Sequence, residues 1–200
     1  MFGDFERQAI YHTHAVTLDE VVGQRHLQVV HFDLRINCRN TPRTASWVHH
    51  ISRLDPPYAR VRRPDDRVTP EIRFYDSAEK QPILLAEVLT GLLQSGFLKR
   101  DVVILSHLAD RPCATSLPRE WQHRLRPCGP DRGAHIGFAT IHAFKGLEAP
   151  AIVVSDVTSI LGEDREALLY VAMTRAVERL FILADARVQP QLARILTPKV

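Results

Sequence analysis

Long apolar runs and paired cysteines are missing from this sequence. No run of about eighteen apolar residues occurs, and the first residues lack a basic region followed by an apolar core, so the sequence predicts neither a membrane span nor an export signal. The three cysteines, Cys38, Cys113 and Cys128, have no CxxC spacing. Their odd number argues against a disulfide framework of the secreted kind. These absences favour a protein of the reducing cytoplasm.

Charge of one sign is not in large excess either, so charge alone identifies no partner. The chain has 26 basic and 23 acidic side chains, which gives a formal net charge of +3. This balance permits binding to a polyanion but does not require it. With 200 residues, of which 45% are hydrophobic, the chain is long enough for one buried core, and one domain is the default.

A glycine-rich phosphate-binding loop is also missing. No Gly-x-x-x-x-Gly-Lys-Ser/Thr sequence occurs in the chain, although such a loop cradles nucleotide phosphates in many hydrolases. The ten histidines include His12-x-His14 and His49-His50, but no Cys/His cluster has zinc-finger spacing. The sequence therefore predicts no metal site and no self-contained phosphate cradle.

Short runs rich in Val and Ile alternate with stretches of helical period, which predicts a mostly parallel α/β sheet. The predicted strands are 28–34, 71–76, 102–106, 136–141, 151–155 and 179–184. The predicted helices are 81–94 and 165–177. Two segments that contain several prolines, 55–70 and 111–133, are interpreted as exposed connections.

Polar side chains are concentrated in the string Thr140-Ile141-His142-Ala143-Phe144-Lys145-Gly146-Leu147-Glu148, which follows a predicted strand. Ligands bind at the carboxyl edge of open α/β sheets, so we expect this string to bind a ligand there. Gly146 would let the backbone approach a ligand closely, Lys145 can hold a phosphate, and Glu148 can accept hydrogen bonds from ribose hydroxyls. For any one of these residues, an ordinary polar loop is the alternative.

A second string, Tyr170-Val171-Ala172-Met173-Thr174-Arg175-Ala176, places one arginine near the end of the predicted helix 165–177. The apolar face of that helix should be buried and should orient Arg175. A guanidinium held in this way can stabilise the charge on a transferring γ-phosphoryl group, an effect of about 10³ to 10⁵ in rate in nucleotide hydrolases. The alternative is a helix-terminal arginine that interacts with the helix dipole.

Together the two strings resemble the fifth and sixth motifs of UvrD/Rep-like superfamily 1 DNA helicases. The resemblance implies the second, C-terminal motor domain, with a RecA-like, mostly parallel sheet and helices on both faces. It implies nucleotide binding by Gly146 and Glu148 and an arginine finger at Arg175. It also implies that three residues of the first string couple the motor to single-stranded DNA: Thr140, His142 and Lys145.

The string Asn37-Cys38-Arg39-Asn40-Thr41 resembles the fourth motif of the same family. This assigns Arg39 to nucleotide binding and catalysis, as an arginine that reaches the γ-phosphate. The same string also predicts a helix start, with Asn40 or Thr41 as the cap and Pro42 at the first helical position. Both interpretations can hold, because the cap would fix the approach of Arg39.

Residues 3–11 resemble the third motif, in which a glutamine senses the γ-phosphate and an aromatic ring stacks on a base of the DNA. The matching residues are Gln8 and Tyr11, although one residue more than the usual family spacing separates Asp4 from Gln8. A frayed, solvated terminus is the alternative. The resemblance thus divides the chain into a remnant of the junction from the first motor domain, 1–27, and the second motor domain, 28–200.

In the family, the groups that hold ATP and Mg²⁺ precede the third motif. The resemblance therefore implies that ATP with Mg²⁺ binds only when an N-terminal RecA-like motor domain or partner subunit completes the site, and that the chain alone hydrolyses ATP negligibly. Single-stranded DNA is the other expected partner. Two alternatives stay open: a nonenzymatic module that binds single-stranded DNA or another motor subunit, and the remnant of a disrupted gene.

Overall fold

The computed structural model describes residues 35–52 and 57–196. The predicted strand 28–34 and the predicted unit 1–27 lie outside the described residues, so the domain division stays a prediction. The described part begins with a two-stranded parallel pair, β1 (Ile36–Asn37) and β2 (Arg60–Val61). The remaining strands form one larger sheet.

This larger sheet has six strands, and every neighbouring pair in it is parallel. The strands are β3 (Glu71–Tyr75), β4 (Val102–Ser106), β5 (Leu125–Pro127), β6 (Ile136–Thr140), β7 (Ala149–Val157) and β8 (Ala176–Asp185). Their order across the sheet is β3-β8-β7-β4-β6-β5. The five predicted strands that fall within this region are confirmed, while β5 was not predicted.

Helices cover both faces of the sheet, as predicted. The helices are α1 (Pro42–Ile51), α2 (Lys80–Gln94), α3 (Arg119–Gln122), α4 (Glu163–Met173) and α5 (Gln189–Leu196). Residues of α1, α4 and α5 pack on one face of the sheet, and residues of α2 and α3 pack on the other. Because both faces are covered, β4 is an uninterrupted apolar run that ends in Ser106, and all five of its residues are buried.

The predicted helix 165–177 extends too far. Helix α4 ends at Met173 and β8 begins at Ala176, so Thr174 and Arg175 form the turn between them. The Thr174 hydroxyl donates to the carbonyl of Val171 at 2.9 Å, and the Arg175 amide donates to the carbonyl of Ala172 at 3.1 Å. These bonds satisfy carbonyls that the end of a helix leaves without an intrahelical partner.

The interpretation of residues 111–133 as an exposed connection is wrong for residues 113–121, which include buried apolar side chains. Cys113, Leu117 and Trp121 follow one another at a spacing of four and are at most 5% exposed, in the core beneath α2. Pro112 and Pro118 precede the short helical turns that carry these apolar residues. By contrast, the described part of 55–70 is mostly exposed, as predicted.

Candidate functional site

The segment 141–148 runs from the carboxyl edge of the sheet, where its parallel strands end, to the amino edge, where they begin. It begins after Thr140 at the carboxyl end of β6 and ends before Ala149, the first residue of β7. Both strands pair in parallel with β4, which lies between them, so the segment must run back along the sheet. Ile141 and Phe144, each 3% exposed, anchor it in the core on the face that α1 and α4 cover.

This path corrects the expectation that the whole string lies at the carboxyl edge. Thr140 lies there, but Glu148 lies at the amino end of β7. The Thr140 hydroxyl accepts a hydrogen bond from the Ala143 amide at 3.1 Å and so starts the turn. Gly146 has φ +91°, a left-handed conformation that favours glycine and turns the chain toward Glu148. His142 and Lys145 are both half-buried between these points.

Arg39 reaches Glu148 from the turn between β1 and α1. Its Nε donates to Oε2 of Glu148 at 2.6 Å. The side-chain oxygen of Asn37 accepts from the amides of Arg39 and Asn40, at 3.0 and 2.9 Å. The side-chain Nδ2 of Asn40 donates to the carbonyl of Ala176, the first residue of β8, at 2.6 Å. Two asparagines therefore fix the position of Arg39 against the sheet.

The predicted helix cap is confirmed in position, because Thr41 is the N-cap of α1 and Pro42 is its first residue. The Thr41 side chain does not bond to a helix amide, however, and instead its hydroxyl donates to that of Thr44 at 3.2 Å. The positioning role of Asn37 and Asn40 was missed by sequence reasoning. The Asn-x-x-Asn spacing around Arg39 was the only signal in the sequence that could have suggested it.

Arg175 is buried, with 3% of its surface exposed. Its Nε donates to the carbonyl of Val171 at 3.1 Å, and its Nη2 donates to the Thr174 hydroxyl at 3.0 Å. Its Nη1 lies 3.4 Å from the carbonyl of Leu147. Burial, followed by the nearby charge of Arg39, lowers the pKa of Arg175. The guanidinium is therefore anchored to the end of its own helix, which is the arrangement expected of a helix-terminal arginine.

Arg39, Glu148 and Arg175 meet at the amino ends of β7 and β8. The Ala149 amide donates to the carbonyl of Arg175 at 3.1 Å, which joins the two loops. The Arg39 Nη1 lies 3.5 Å from the carbonyl of Thr174. Arg39 and Glu148 have side chains that are 36% and 55% exposed, so they form the accessible part of the cluster. Two guanidiniums lie near one carboxylate here, and the carboxylate pairs with Arg39. This excess of positive charge suits a polyanion such as a triphosphate.

A cleft with a volume of about 630 Å³ lies at the opposite, carboxyl edge of the sheet. Its wall contains Asp156, which has φ +65° and is 6% exposed. The Asp156 carboxylate accepts hydrogen bonds from the hydroxyls of Ser106 and Ser155 at 2.6 and 2.7 Å, and from the Cys113 amide at 3.2 Å. These bonds tie β4, β7 and the loop at Cys113 together, so Asp156 shapes this edge of the sheet.

Two predicted site residues, Gln8 and Tyr11, lie outside the described residues. Within residues 35–52 and 57–196, no group of three or more His, Cys, Asp or Glu side chains could hold a metal ion. No helix in that part of the chain is long and apolar enough to cross a membrane.

Comparison with known proteins agrees with this fold and with the motif region. Residues 135–183 match the family described as UvrD-like helicase C-terminal domain. The C-terminal domain of a possible DNA helicase from Lactobacillus plantarum WCFS1 has a similar structure, with a TM-score of 0.61 and 18% sequence identity, over 79% of this chain and 93% of that one. No curated protein matches the chain in sequence. The resemblance predicted from the motifs is thus confirmed, and the fold is the predicted RecA-like α/β sheet.

Proposed function

We propose that this chain works as the second motor domain of an ATP-dependent DNA helicase, in which the cluster of Arg39, Glu148 and Arg175 binds the nucleotide. The family match over 135–183 includes the last two of these residues and supports the proposal. The observation that carries it is the 2.6 Å ion pair between Arg39 and Glu148 in front of Arg175. Three segments that resemble nucleotide-contacting motifs thereby meet in one place.

The accessible residues of the cluster receive the nucleotide. ATP, when bound, supplies the phosphoryl group that is transferred to water. The Arg39 guanidinium donates hydrogen bonds to phosphate oxygens, and the Glu148 carboxylate accepts them from ribose hydroxyls. Because each residue is the other's partner here, we expect nucleotide binding to open the Arg39–Glu148 pair. By resemblance to the family, the groups that hold Mg²⁺ belong to the first motor domain, so we assign the binding of Mg²⁺ to that domain.

Arg175 acts in this proposal as an anchored arginine finger. A guanidinium has five N–H groups, and three protein acceptors lie within hydrogen-bond distance of Arg175, so two N–H groups remain for a phosphate oxygen. The anchors hold the group in place before the reaction, which is the condition for effective electrostatic stabilisation. Opening of the Arg39–Glu148 pair would give the phosphate access to these two donors.

The segment 141–148 would couple nucleotide binding to single-stranded DNA. Thr140 precedes the segment at the carboxyl edge, where His142 follows, and Glu148 lies at its other end, at the amino edge. Ile141, the first residue of the segment, and Phe144 are buried in the core on either side of His142. A displacement of Glu148 by the nucleotide would act on Lys145, three residues away in the same segment, and through the backbone on His142.

Binding of a labelled oligothymidylate to the full chain tests the DNA half of this proposal. We expect Lys145→Ala and His142→Ala each to weaken binding severalfold, since each removes a contact to the strand. Lys80→Ala is the matched control, because Lys80 is exposed and pairs with Asp76 at 2.6 Å, away from the segment. Equal binding by all three variants and the wild type would contradict the proposed role of 141–148.

A further inference from the structure

Asp156 is a buried acidic residue near the carboxyl end of β7 that the proposed function does not use. The backbone leaves the regular strand here, since φ is +65° and the register between β7 and β8 shifts between Val154 and Val157. A non-glycine residue rarely takes this left-handed conformation, and a shift of this kind re-aims a side chain. The contacts of the Asp156 carboxylate must therefore offset the strain of its backbone.

Two serine hydroxyls donate to the same oxygen of this carboxylate, Oδ2. The Ser106 hydroxyl, at the end of β4, lies 2.6 Å from it, and the Ser155 hydroxyl, in β7, lies 2.7 Å from it. Both serines are buried, with exposed fractions of 2% and 0%. Hydrogen bonds to an ionised acceptor are stronger than those between neutral groups, so Asp156 holds the ends of two neighbouring strands together.

Ser106 passes this constraint to the proposed DNA-binding segment. Its hydroxyl also accepts a hydrogen bond from the Leu108 amide at 3.0 Å, which fixes the backbone that follows β4. Its carbonyl accepts a hydrogen bond from the Ile141 amide at 2.9 Å, and Ser106 pairs in register with Thr140 of β6. Ile141 comes directly before His142, a proposed contact to the single strand. A shift of Ser106 would therefore move the start of that segment.

Ser155 makes almost the same bond to Asp156 but leads elsewhere. Its hydroxyl lies 3.5 Å from the carbonyl of Leu105, a residue within β4. The two serines thus resemble each other in burial and in their bond to the carboxylate, and they differ in what lies beyond it. A comparison between them separates a general loss of stability from an effect on the DNA-binding segment.

We propose that Asp156 is a positioning residue for single-stranded DNA, because through Ser106 it holds the turn at Ile141 and His142 in the conformation that receives the strand. Asp156 itself is only 6% exposed and acts through its neighbours. The inference rests on the proposed DNA role of the segment 141–148. It adds a buried residue, on another strand, that sets the geometry of this segment.

The test is binding of the full chain to a labelled oligothymidylate, measured by fluorescence anisotropy over a salt series. Ser106→Ala removes the link between Asp156 and the turn, and we expect it to weaken binding about fivefold, as the loss of one hydrogen bond would. The slope of log K against log salt should stay that of the wild type, because no phosphate contact is lost. Lys145→Ala should instead lower the magnitude of this slope by about 0.7, the value per contact to a single strand.

Ser155→Ala is the matched control. It removes a hydroxyl donor to Asp156 from an equally buried position, so both alanine variants should lower the midpoint of urea denaturation by similar amounts. Only Ser106→Ala should weaken DNA binding. Asp156→Gly, which tolerates the left-handed backbone but has no carboxylate, should also weaken it. Adding Ser106→Ala to that variant should have little further effect, since the two residues act in one chain of contacts.

The proposal is overturned if Ser106→Ala and Ser155→Ala lose equal affinity for the strand, if Ser106→Ala binds normally, or if the effects of Ser106→Ala and Asp156→Gly simply add. Normal binding by both Lys145→Ala and His142→Ala would overturn the DNA role of their segment, and this inference with it. Weaker binding by those two variants, together with normal binding by Ser106→Ala, would remove the positioning role alone.

Discussion

Arg39 and Glu148 are separated by 109 positions in the sequence, yet the Arg39 Nε lies 2.6 Å from the Glu148 Oε2. In the proposed function, each residue occupies the place where the other would meet a nucleotide. The pair is partly exposed, so its contribution to folding should be about 0 to 1 kcal/mol. It therefore acts as a contact that a ligand can replace at low cost.

Substitution at this pair should change anion binding more than stability. We expect Glu148→Gln to tighten binding of tripolyphosphate by about fivefold, since a change of about 1 kcal/mol in local electrostatics corresponds to that factor. Arg39→Gln should weaken the same binding. Isothermal titration calorimetry with the full chain measures both effects. Weaker binding by Glu148→Gln would show that the carboxylate does not compete for Arg39.

Arg175 should contribute strongly to stability, whatever its catalytic role. Arg175→Ala leaves the carbonyls of Val171 and Leu147 without this donor, and we expect a loss of about 2 to 4 kcal/mol in the free energy of unfolding. Arg175→Lys should recover only part of it, because one ammonium group cannot reach the same divergent acceptors. Urea denaturation checks the expectation, and a loss below about 1 kcal/mol for Arg175→Ala would contradict it.

Two glycines should respond in opposite directions to alanine. Gly146→Ala should destabilise the protein by about 1 to 2 kcal/mol, since φ is +91° there even though no atom would contact the added Cβ. Gly91 lies within α2, and an added Cβ would again meet nothing within 4 Å. Gly91→Ala should stabilise by about 0.5 to 1 kcal/mol through helix propensity. Thermal unfolding of both variants measures these changes in stability. A Gly146→Ala variant as stable as the wild type would contradict the expected cost of the left-handed conformation.

The three cysteines should differ in reactivity. Burial, and then the charge of Asp156, raises the pKa of Cys113 to about 12, and burial raises the pKa of Cys128. At pH 8 both are therefore almost entirely thiols, which react slowly, whereas Cys38 is exposed. Titration with Ellman's reagent should show one fast thiol in the native protein and three in denaturant. Cys38→Ser should abolish the fast phase, and a fast phase that persists would mean that a buried thiol is accessible.

The parts of the fold that the sequence predicted best are those buried on both sides. The bounds of β4 were predicted correctly, because burial on two faces produces a continuous apolar run. Helix α2 was predicted to within one residue, since its core residues Leu85, Val88, Leu89 and Leu92 keep a helical period. The residues 113–121 were misjudged because Pro112 and Pro118 favour an exposed connection, whereas the apolar spacing of four indicates burial.

The sequence indicated which residues belong to the candidate site, but not how those residues are arranged in space. Motif resemblance selected Arg39, Glu148 and Arg175, but a single sequence contains no measure of distance across 109 positions. The length of the segment 141–148 did not reveal that it returns along the sheet, so Glu148 was placed at the wrong edge. Nor could the sequence tell whether Arg175 bonds to its own helix, since that depends on where α4 ends.

The most direct test of the central claim is the DNA-stimulated ATPase activity of the native assembly, isolated through a tag on this chain in its source cells. The account predicts that this assembly includes a phosphate-loop motor domain, in the same polypeptide or in a partner, and that it hydrolyses ATP. Arg39→Gln should then lower the turnover number about a hundredfold without loss of folding. An assembly without a phosphate loop, or one whose hydrolysis of ATP is unaffected by Arg39→Gln, would contradict the claim that this cluster completes a nucleotide site.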